Sequence, residues 1–522
     1  MREGRLAMLG IERPISPRPP WKDPEIGRIS PLWRMKLHYQ EALVDLLRFP
    51  EAGSAAADSE LAASIVDDWI ATCSPSDPGH WLDSWNPYAI SRRLVAWKVL
   101  AGRLDPAVLS PARRGAWGGS VFRQVEQLAR NLERDLDGNH LLADAVGLLA
   151  GAALLGETAG GRFRRGGIEL LRDCVERQIL PDGGHVERAT HYHLQVATDL
   201  SDAWILLADP AGSAGFLRDP LIRMARYARG VAHGGERMPA LGDGVPGEQP
   251  SVDDVVRRIE RLTGEGACAP PAGAFDLPDS GYFRFERGGE SLVVDGGPVA
   301  WDRQPGHAHD DLFSFELEDD GRPFIVDSAT SGYGGDPFRP YCRGAAGHSA
   351  LTIDGFGSAE PWGDFRLGGR SDLLTREVWR EGEEWTFDGR SRCWHDRRVV
   401  HNRWIRRSGP GLWRVEDRVE SPNGARLVAR VHFAPEWEVE AVPGAGFVAR
   451  SGASRWSIRP FGVGVAARVA RGERNPDEGW IFREFGRPLA APVLILETVA
   501  PKGKGEPFGV DLVRERPGGG AR

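Results

Sequence analysis

The apolar positions of the chain change period once, near its middle. From about Leu32 to Leu262 they recur at helical spacing. In GNHLLADAVGLLAGAALL, Leu142, Val146, Leu149 and Ala153 follow at steps of 4, 3 and 4, which lines one face of a helix. The same period runs through ELAASIVDDWIA, PARRGAWGGSVFRQVEQLARNLERDL and HYHLQVATDLSDAWILLA, with Gly/Pro/Asp breaks such as LPDGG between them. No heptad persists, so the pattern predicts an antiparallel stack of many helices and no coiled coil. Across GEGACAPPAGAFDLP, a stretch with linker composition, the period falls to 2. In LFSFELE, Phe313, Phe315 and Leu317 alternate with Ser314, Glu316 and Glu318; GYFRFE, PFIVD, SALTID and APVLILETV read as further strands, and Pro422-Asn423-Gly424 as a hairpin turn. Many strands without intervening helices predict an antiparallel sandwich. The chain thus divides into an extended proline-rich arm (1–30), a helical domain (31–265), a linker (266–279), a β domain (280–513) and a disordered tail (514–522).

Composition narrows the function classes. With 66 Lys and Arg against 74 Asp and Glu, the net charge of −8 gives no whole-molecule field for nucleic acid or an anionic membrane, so a polyanionic ligand needs a local basic cleft. No apolar run approaches the ~18 residues of a membrane span, and neither a membrane nor nucleic acid is expected as a partner. Five widely spaced cysteines without CxxC argue against a disulfide framework. The first residues lack the apolar stretch of a secretory signal, which makes the cytoplasm the expected compartment. Tryptophan outnumbers tyrosine, 18 to 7, which suits stacking against the C–H face of a pyranose, although buried tryptophan mostly builds core.

Three clusters carry candidate chemistry. Asn139-His140 opens a helix; the pair reads equally as a cap with a first-turn His or as two donors aimed at a carboxylate. Thr190-His191-Tyr192-His193 places three rings in sequence, which cannot all face a helix core, and cationic neighbours such as Arg188 would favour the Tyr192 phenolate. In PGHAHDD stand His307, His309, Asp310 and Asp311, followed by Asp327 and His348. If a sheet gathers them, His309, Asp327 and His348 form an N/N/O set suited to zinc; otherwise they are strand-end histidines bonded to carboxylates. Arg92, Arg93, Arg188, Arg303, Arg339 and Arg343 lie near these motifs and are candidates for bidentate recognition of carboxylate or sulfate.

The run SGYFRFERGGESLVVDGGPVAWDRQPGHAHDDLFSFELEDDGRPFIVDSATSGYG, with GHSALTIDGFGSAEPWGDF behind it, resembles the C-terminal half of the heparinase II/III-like polysaccharide lyases. SWNPYAISRRLVAW, LDGNHLLADAVGLLAGAALL and ILPDGGHVERATHYHLQV fall in that family's order, and the similarity extends from about Trp33 to about Pro501. The resemblance implies a multidomain α+β protein, an incomplete (α/α) toroid followed by an antiparallel β-sandwich, with the substrate cleft between them. It implies that Asn139 and His140 neutralise a uronate carboxylate, that Tyr192 is the general acid and a candidate base, and that His307 is a second catalytic residue. His309, Asp327 and His348 would hold a structural zinc ion, or another divalent metal. Arg188, Arg303, Tyr341 and Arg343 are carried as substrate-binding candidates, with Tyr333 as the alternative to Tyr341. Where some members carry an acid three positions after the His of the Asn-His pair, this chain has Ala143 with Asp144 next to it, and the usual GHAHAD reads GHAHDD.

The expected activity is β-elimination on a 4-linked uronic-acid polysaccharide or oligosaccharide, giving 4,5-unsaturated ends. Heparin/heparan sulfate is the first choice, alginate or bacterial exopolysaccharide the second. Many related enzymes are exported, so a cytoplasmic member would act on imported oligosaccharides or on a polymer made by the cell. The rival readings are an (α/α) glycoside hydrolase, which needs two facing acids with Glu187 and Asp243 as candidates, and a non-catalytic glycan-binding or assembly protein.

Overall fold

The computed structural model of the protein describes residues 1–16, 18–51, 53–207, 212–266, 268 and 273–515. Most of the expected tail, 516–522, and part of the expected linker lie outside them. The chain gathers into two compact units, Met1–Ile179 with Val196–Ile222, and Leu180–Gln195 with Arg223–Arg522.

The first unit is helical, and its proline pattern sets the helix starts. Pro24–Ile29, Pro31–Tyr39, Pro87–Ala101 and Pro111–Arg130 each begin on a proline, where the missing N–H costs nothing, behind Asp23, Ser30, Asn86 and Ser110, whose side chains accept from the first turn. The N-terminal residues do not form the extended arm that their prolines suggest. Arg5–Met8 and Ile11–Pro14 pair as a hairpin, and Leu6, Ile15, Trp21 and Ile26 enter the unit's core beside Trp33, Trp69 and Trp97. The tryptophan excess is mainly core: 11 of the 18 indoles are buried, and Trp33, Trp69, Trp97, Trp385, Trp437 and Trp456 are among the largest fully buried side chains.

Gly138–Gln178 is assigned as one 41-residue helix, but it folds back on itself. Gly156 breaks the helical path with φ 73° and ψ 173°. A straight helix of that length would span about 60 Å, yet Arg177 and Gln178 at its end donate to Asp137, the cap of its first turn, at 2.6 and 3.0 Å. By length and composition this element is able to cross a bilayer, contrary to the expectation that no such run exists, and 67 % of its apolar window is buried inside the protein. Gly147 permits close packing: a Cβ there would lie 2.7 Å from Ser91 Cα on the helix Pro87–Ala101. Gly147→Ala is therefore expected to destabilise, because overpacking of ~1–3 kcal/mol outweighs the ~1 kcal/mol gained in helix propensity. A lower urea midpoint with unchanged m checks this.

The second unit is antiparallel β, as the period change predicts. A meander runs through Phe275–Leu277, Tyr282–Arg287, Glu290–Asp295, Phe315–Asp319 and Arg322–Ile325. A larger sheet orders Asp372–Glu381, Glu384–Arg392, Val400–Gly409, Leu412–Ser421, Phe508–Arg514, Ser454–Phe461, Gly446–Ser451 and Glu438–Val442, and a smaller one orders Ala466–Arg471, Pro492–Ala500, Ala425–His432 and Leu351–Ile353. All three feed one apolar core, with Phe315 and Phe324 from the first, Phe387 and Trp413 from the second, and Leu427 and Leu494 from the third.

Two expectations shift. Pro422-Asn423-Gly424 joins strands of different sheets, so it is a corner and not a hairpin turn. Strand Phe315–Asp319 is buried on both faces: Arg237 pairs with Glu316 and Glu318, and the Ala240 N–H donates to Glu316, so the preceding loop covers the polar face. That loop and residues 180–195 fall within the expected helical domain but cluster with the sheets, which places Tyr192 in the same unit as His307.

Candidate active site

Tyr192 stands in the first turn of the helix Thr190–Leu207. Just before it, Arg188 has φ 57°, a left-handed conformation that costs a non-glycine residue about 1–3 kcal/mol. Its surroundings hold it there. The Tyr282 hydroxyl donates to the Arg188 carbonyl at 2.5 Å, and the Arg188 guanidinium donates to the carbonyls of Ser280 (3.1 Å) and Val186 (3.2 Å). Arg188 is thus a clamp on the turn that presents Tyr192, not a free substrate ligand. The flanking histidines face inward: His193 bonds the Met224 carbonyl at 3.0 Å, and burial lowers His191 to about 4 and His193 to about 3. Neither supplies the positive charge expected beside the Tyr192 phenol.

His307 does meet Tyr192. The rings stack with centroids 3.7 Å apart and planes 19° from parallel. On its other side the His307 Nδ1 lies 2.5 Å from Glu187 Oε2, so Nδ1 donates to the carboxylate and the lone pair sits on Nε2. The Tyr192 hydroxyl lies 3.1 Å from that of Tyr333. Burial, and after it the nearby Asp243 carboxylate, holds the Tyr333 phenol well above its ordinary pKa, so it is a proton-bearing group at neutral pH.

Next to this pair lies a candidate metal-binding triad. Ligand atoms of His309, Asp311 and His348 all fall within 4.8 Å of one another, and all three side chains are buried. His309 Nε2 is bonded to Asp243 at 2.8 Å and His348 Nδ1 to Asp327 at 2.7 Å. Each leaves one buried nitrogen, His309 Nδ1 and His348 Nε2, with no hydrogen-bond partner among the described residues. Two such nitrogens beside a carboxylate fit a divalent metal, and the outer carboxylates on the far nitrogens are the arrangement that orients histidine ligands. The acid of the set is therefore Asp311, the final residue of GHAHDD, whereas the expected Asp327 supports His348 from behind. Burial lowers His309 to about 3, while His348, despite its burial, is raised to about 9 by Asp327.

The Asn139-His140 pair lies in the helical unit. Asp137 and not Asn139 caps the helix, through its bond to the Gly138 N–H. Asn139 is buried. His140 packs its ring on Tyr88 at 4.5 Å, with Nδ1 3.2 Å from Glu133. The acid next to His140 is thus Glu133, which the sequence reading missed. Asp144 instead accepts from Ser91 (3.1 Å) and from the Glu133 N–H (2.8 Å), and burial together with Glu133 pushes it up to about 8.

Other expected ligands turn out to be structural. Tyr341 is buried in a small cluster with Phe338 and Phe482, and its hydroxyl donates to the Trp480 carbonyl at 3.0 Å. Arg343 is fully buried and donates to the carbonyls of Gly363, Arg366 and Ala308. Both belong to the short helix Arg339–Arg343, which points these side chains inward. Arg339 binds Asp243, Arg92 pairs with Glu41 and Asp199, and Arg93 donates to Gln124 and to the His38 carbonyl. Arg303 alone of these is exposed, on the loop leading to His307.

Comparison with known proteins places this geometry. The family model for the heparinase II/III N-terminus matches residues 31–259, and that for the heparinase II/III-like C-terminal region matches residues 269–506. No curated protein matches the sequence. Among solved structures, a crystal structure of heparinase III is 16 % identical with a TM-score of 0.76, covering 93 % of this chain and 78 % of its own. A mutant of the heparan sulfate lyase HepC from Pedobacter heparinus is 16 % identical with a TM-score of 0.68, covering 98 % and 81 %. At these identities the likeness shows the fold, while the two family matches together span most of the sequence. The chain belongs to the heparinase II/III-like family of polysaccharide lyases.

Proposed function

We propose that the protein cleaves a 4-linked uronate polysaccharide by β-elimination, with heparan-sulfate-type glycosaminoglycan the first candidate substrate and alginate or a bacterial exopolysaccharide the second. The observation that carries this reading is the Tyr192 phenol, stacked on a histidine that Glu187 backs and touching a second phenol. A lyase must remove the C5 proton of a uronate, a very weak carbon acid while its carboxylate is charged. Donors to that carboxylate would stabilise the enolate-like transition state, an effect of roughly 3 kcal/mol per donor, and Asn139 and His140 are the pair that the family resemblance implies for that role. His307 takes the proton on Nε2, with Glu187 stabilising the imidazolium that forms. Tyr192 protonates the departing glycosidic oxygen, Tyr333 donates a hydrogen bond to the phenolate left behind, and the proton on His307 returns to Tyr192 through solvent once product leaves. The hydrolase reading loses its two acids: Glu187 is committed to His307, and Asp243 to His309 and Arg339.

Zinc is the ion proposed for His309, Asp311 and His348, because two imidazoles and one carboxylate match its preferred donors. Its contribution when bound is a structural cross-link between the segment that carries His307 and the strand ends that carry Asp327 and His348. Purified protein is expected to hold about one equivalent of divalent metal. Asp311→Asn should lose it, whereas Asp327→Asn should keep it with ~10–100-fold weaker affinity. Metal retained in full by Asp311→Asn would remove that residue from the set.

Ultraviolet absorbance of unsaturated uronate, followed with heparan sulfate, heparin, chondroitin, hyaluronan and alginate, tests the function. A rise with one polymer names the substrate. New reducing ends without absorbance would establish hydrolysis instead, and neither signal with any polymer would favour a binding protein.

A further inference from the structure

The hairpin Ala359–Trp362 and Arg366–Arg370 pairs Trp362 directly with Arg366 across a turn of Gly363, Asp364 and Phe365. For a surface turn it is unusually fixed. The buried Arg343 donates to the carbonyls of Gly363 and Arg366 at 2.9 and 3.1 Å, and the buried Arg339 donates to that of Asp364 at 2.8 Å. Asp364 accepts in turn from the Gly334 N–H at 2.8 Å. The Phe365 ring stacks on Tyr333, with centroids 5.4 Å apart, and Tyr333 is the residue whose hydroxyl touches Tyr192. Two buried guanidiniums, which also bind Asp243 and the Ala308 carbonyl, thus tie the backbone of this turn to the interior beside Tyr333.

What this turn presents is aromatic and cationic. Trp362 is 65 % exposed and Phe365 48 % exposed, and the Arg366 guanidinium lies 5.5 Å from the Trp362 ring centroid. Trp362 is three residues from Phe365, at most ~11 Å of backbone away. We propose that Trp362 and Arg366 form a sugar-binding subsite next to Tyr192 and Tyr333, taking a neighbouring pyranose of the same polymer that bears a carboxylate or sulfate. The indole packs on the apolar C–H face of the ring, and Arg366 at its edge meets the anionic substituent. The occupant is this glycan and not a protein partner, because the clamped turn is continuous with the tyrosine pair and combines a flat apolar surface with a cation. The proposal rests on the lyase reading for its choice of ligand.

The test uses the full-length protein carrying Tyr192→Phe, so that polymer is not consumed, and measures its dissociation constant for heparan sulfate and for alginate by calorimetry. Adding Trp362→Ala is expected to weaken binding of whichever polymer the parent binds by about tenfold, equivalent to about 1.4 kcal/mol. Trp362→Phe should restore most of the loss, and Arg366→Gln should weaken sulfated heparan sulfate more than its desulfated form. Unaltered Tm values show that the variants fold. Unchanged affinity in Trp362→Ala, or no binding of either polymer by the parent, overturns the subsite. The two readings fail separately: a wild type that forms unsaturated product while Trp362→Ala binds normally loses only the subsite, whereas tenfold weaker binding without any product loses only the lyase.

Discussion

Tyr192→Phe is expected to lower kcat about 10³-fold on the polymer that the wild type cleaves, the range for loss of a positioned general acid. The substitution is clean because it removes one atom. The ring that stacks on His307 at 3.7 Å remains, and the atom lost is the hydroxyl that meets Tyr333. KM and Tm should stay close to wild type, since neither the stack nor the helix start changes. Tyr333→Phe should cost less, because it removes a hydrogen bond to the acid and leaves the group that delivers the proton. Initial rates of absorbance measure both. Retention of more than about a tenth of the wild-type rate in Tyr192→Phe, well short of what losing a general acid entails, would remove that residue from the acid role.

Glu187→Gln is the second large effect, a loss of about 10²–10⁴-fold in kcat by analogy with other carboxylate-backed histidines. The carboxylate can only accept from His307 Nδ1, which leaves Nε2 as the base. A glutamine amide offers a donor as well, and when it donates to Nδ1 the imidazole carries its proton on Nε2 and cannot take another. Glu187→Asp, which keeps the accepting character at a shorter reach, should recover part of the rate. Nitrogen NMR of His307 should show the change of tautomer in Glu187→Gln. An unaltered tautomer with an unaltered rate would assign Glu187 to packing alone.

The sequence was most informative where chemistry is local. The helix Pro111–Arg130 and the strands Tyr282–Arg287 and Phe315–Asp319 follow from short patterns, and the same patterns singled out Tyr192 and the two histidines of GHAHDD as candidates, whereas the helix Pro24–Ile29 lies where an extended arm was expected. What escaped depends on partners far along the chain. Glu187 lies 120 residues from His307, and Tyr333 lies 141 residues from Tyr192, so no spacing links them. Asp311 and Asp327 have the same chemistry, and only the fold decides that one joins the triad and the other backs His348. Tyr341 and Arg343 were misread for the opposite reason. They are near the motifs in sequence, but one short helix turns them into the interior.

The fold-back of Gly138–Gln178 bears on the order in which the protein is made. The turn that carries Asn139 and His140 is secured at Asp137 by Arg177 and Gln178, forty positions downstream. While the ribosome is still adding those residues, the leading turn lacks this tie, although Tyr88 and Glu133, which meet His140, are already in the chain. Tyr192 waits longer, because its stacking and hydroxyl partners arrive more than a hundred residues afterwards. Domains that emerge first generally fold first, but here early helical structure precedes any working centre. A nascent chain released before the segment that holds Tyr333 would be largely helical and catalytically silent.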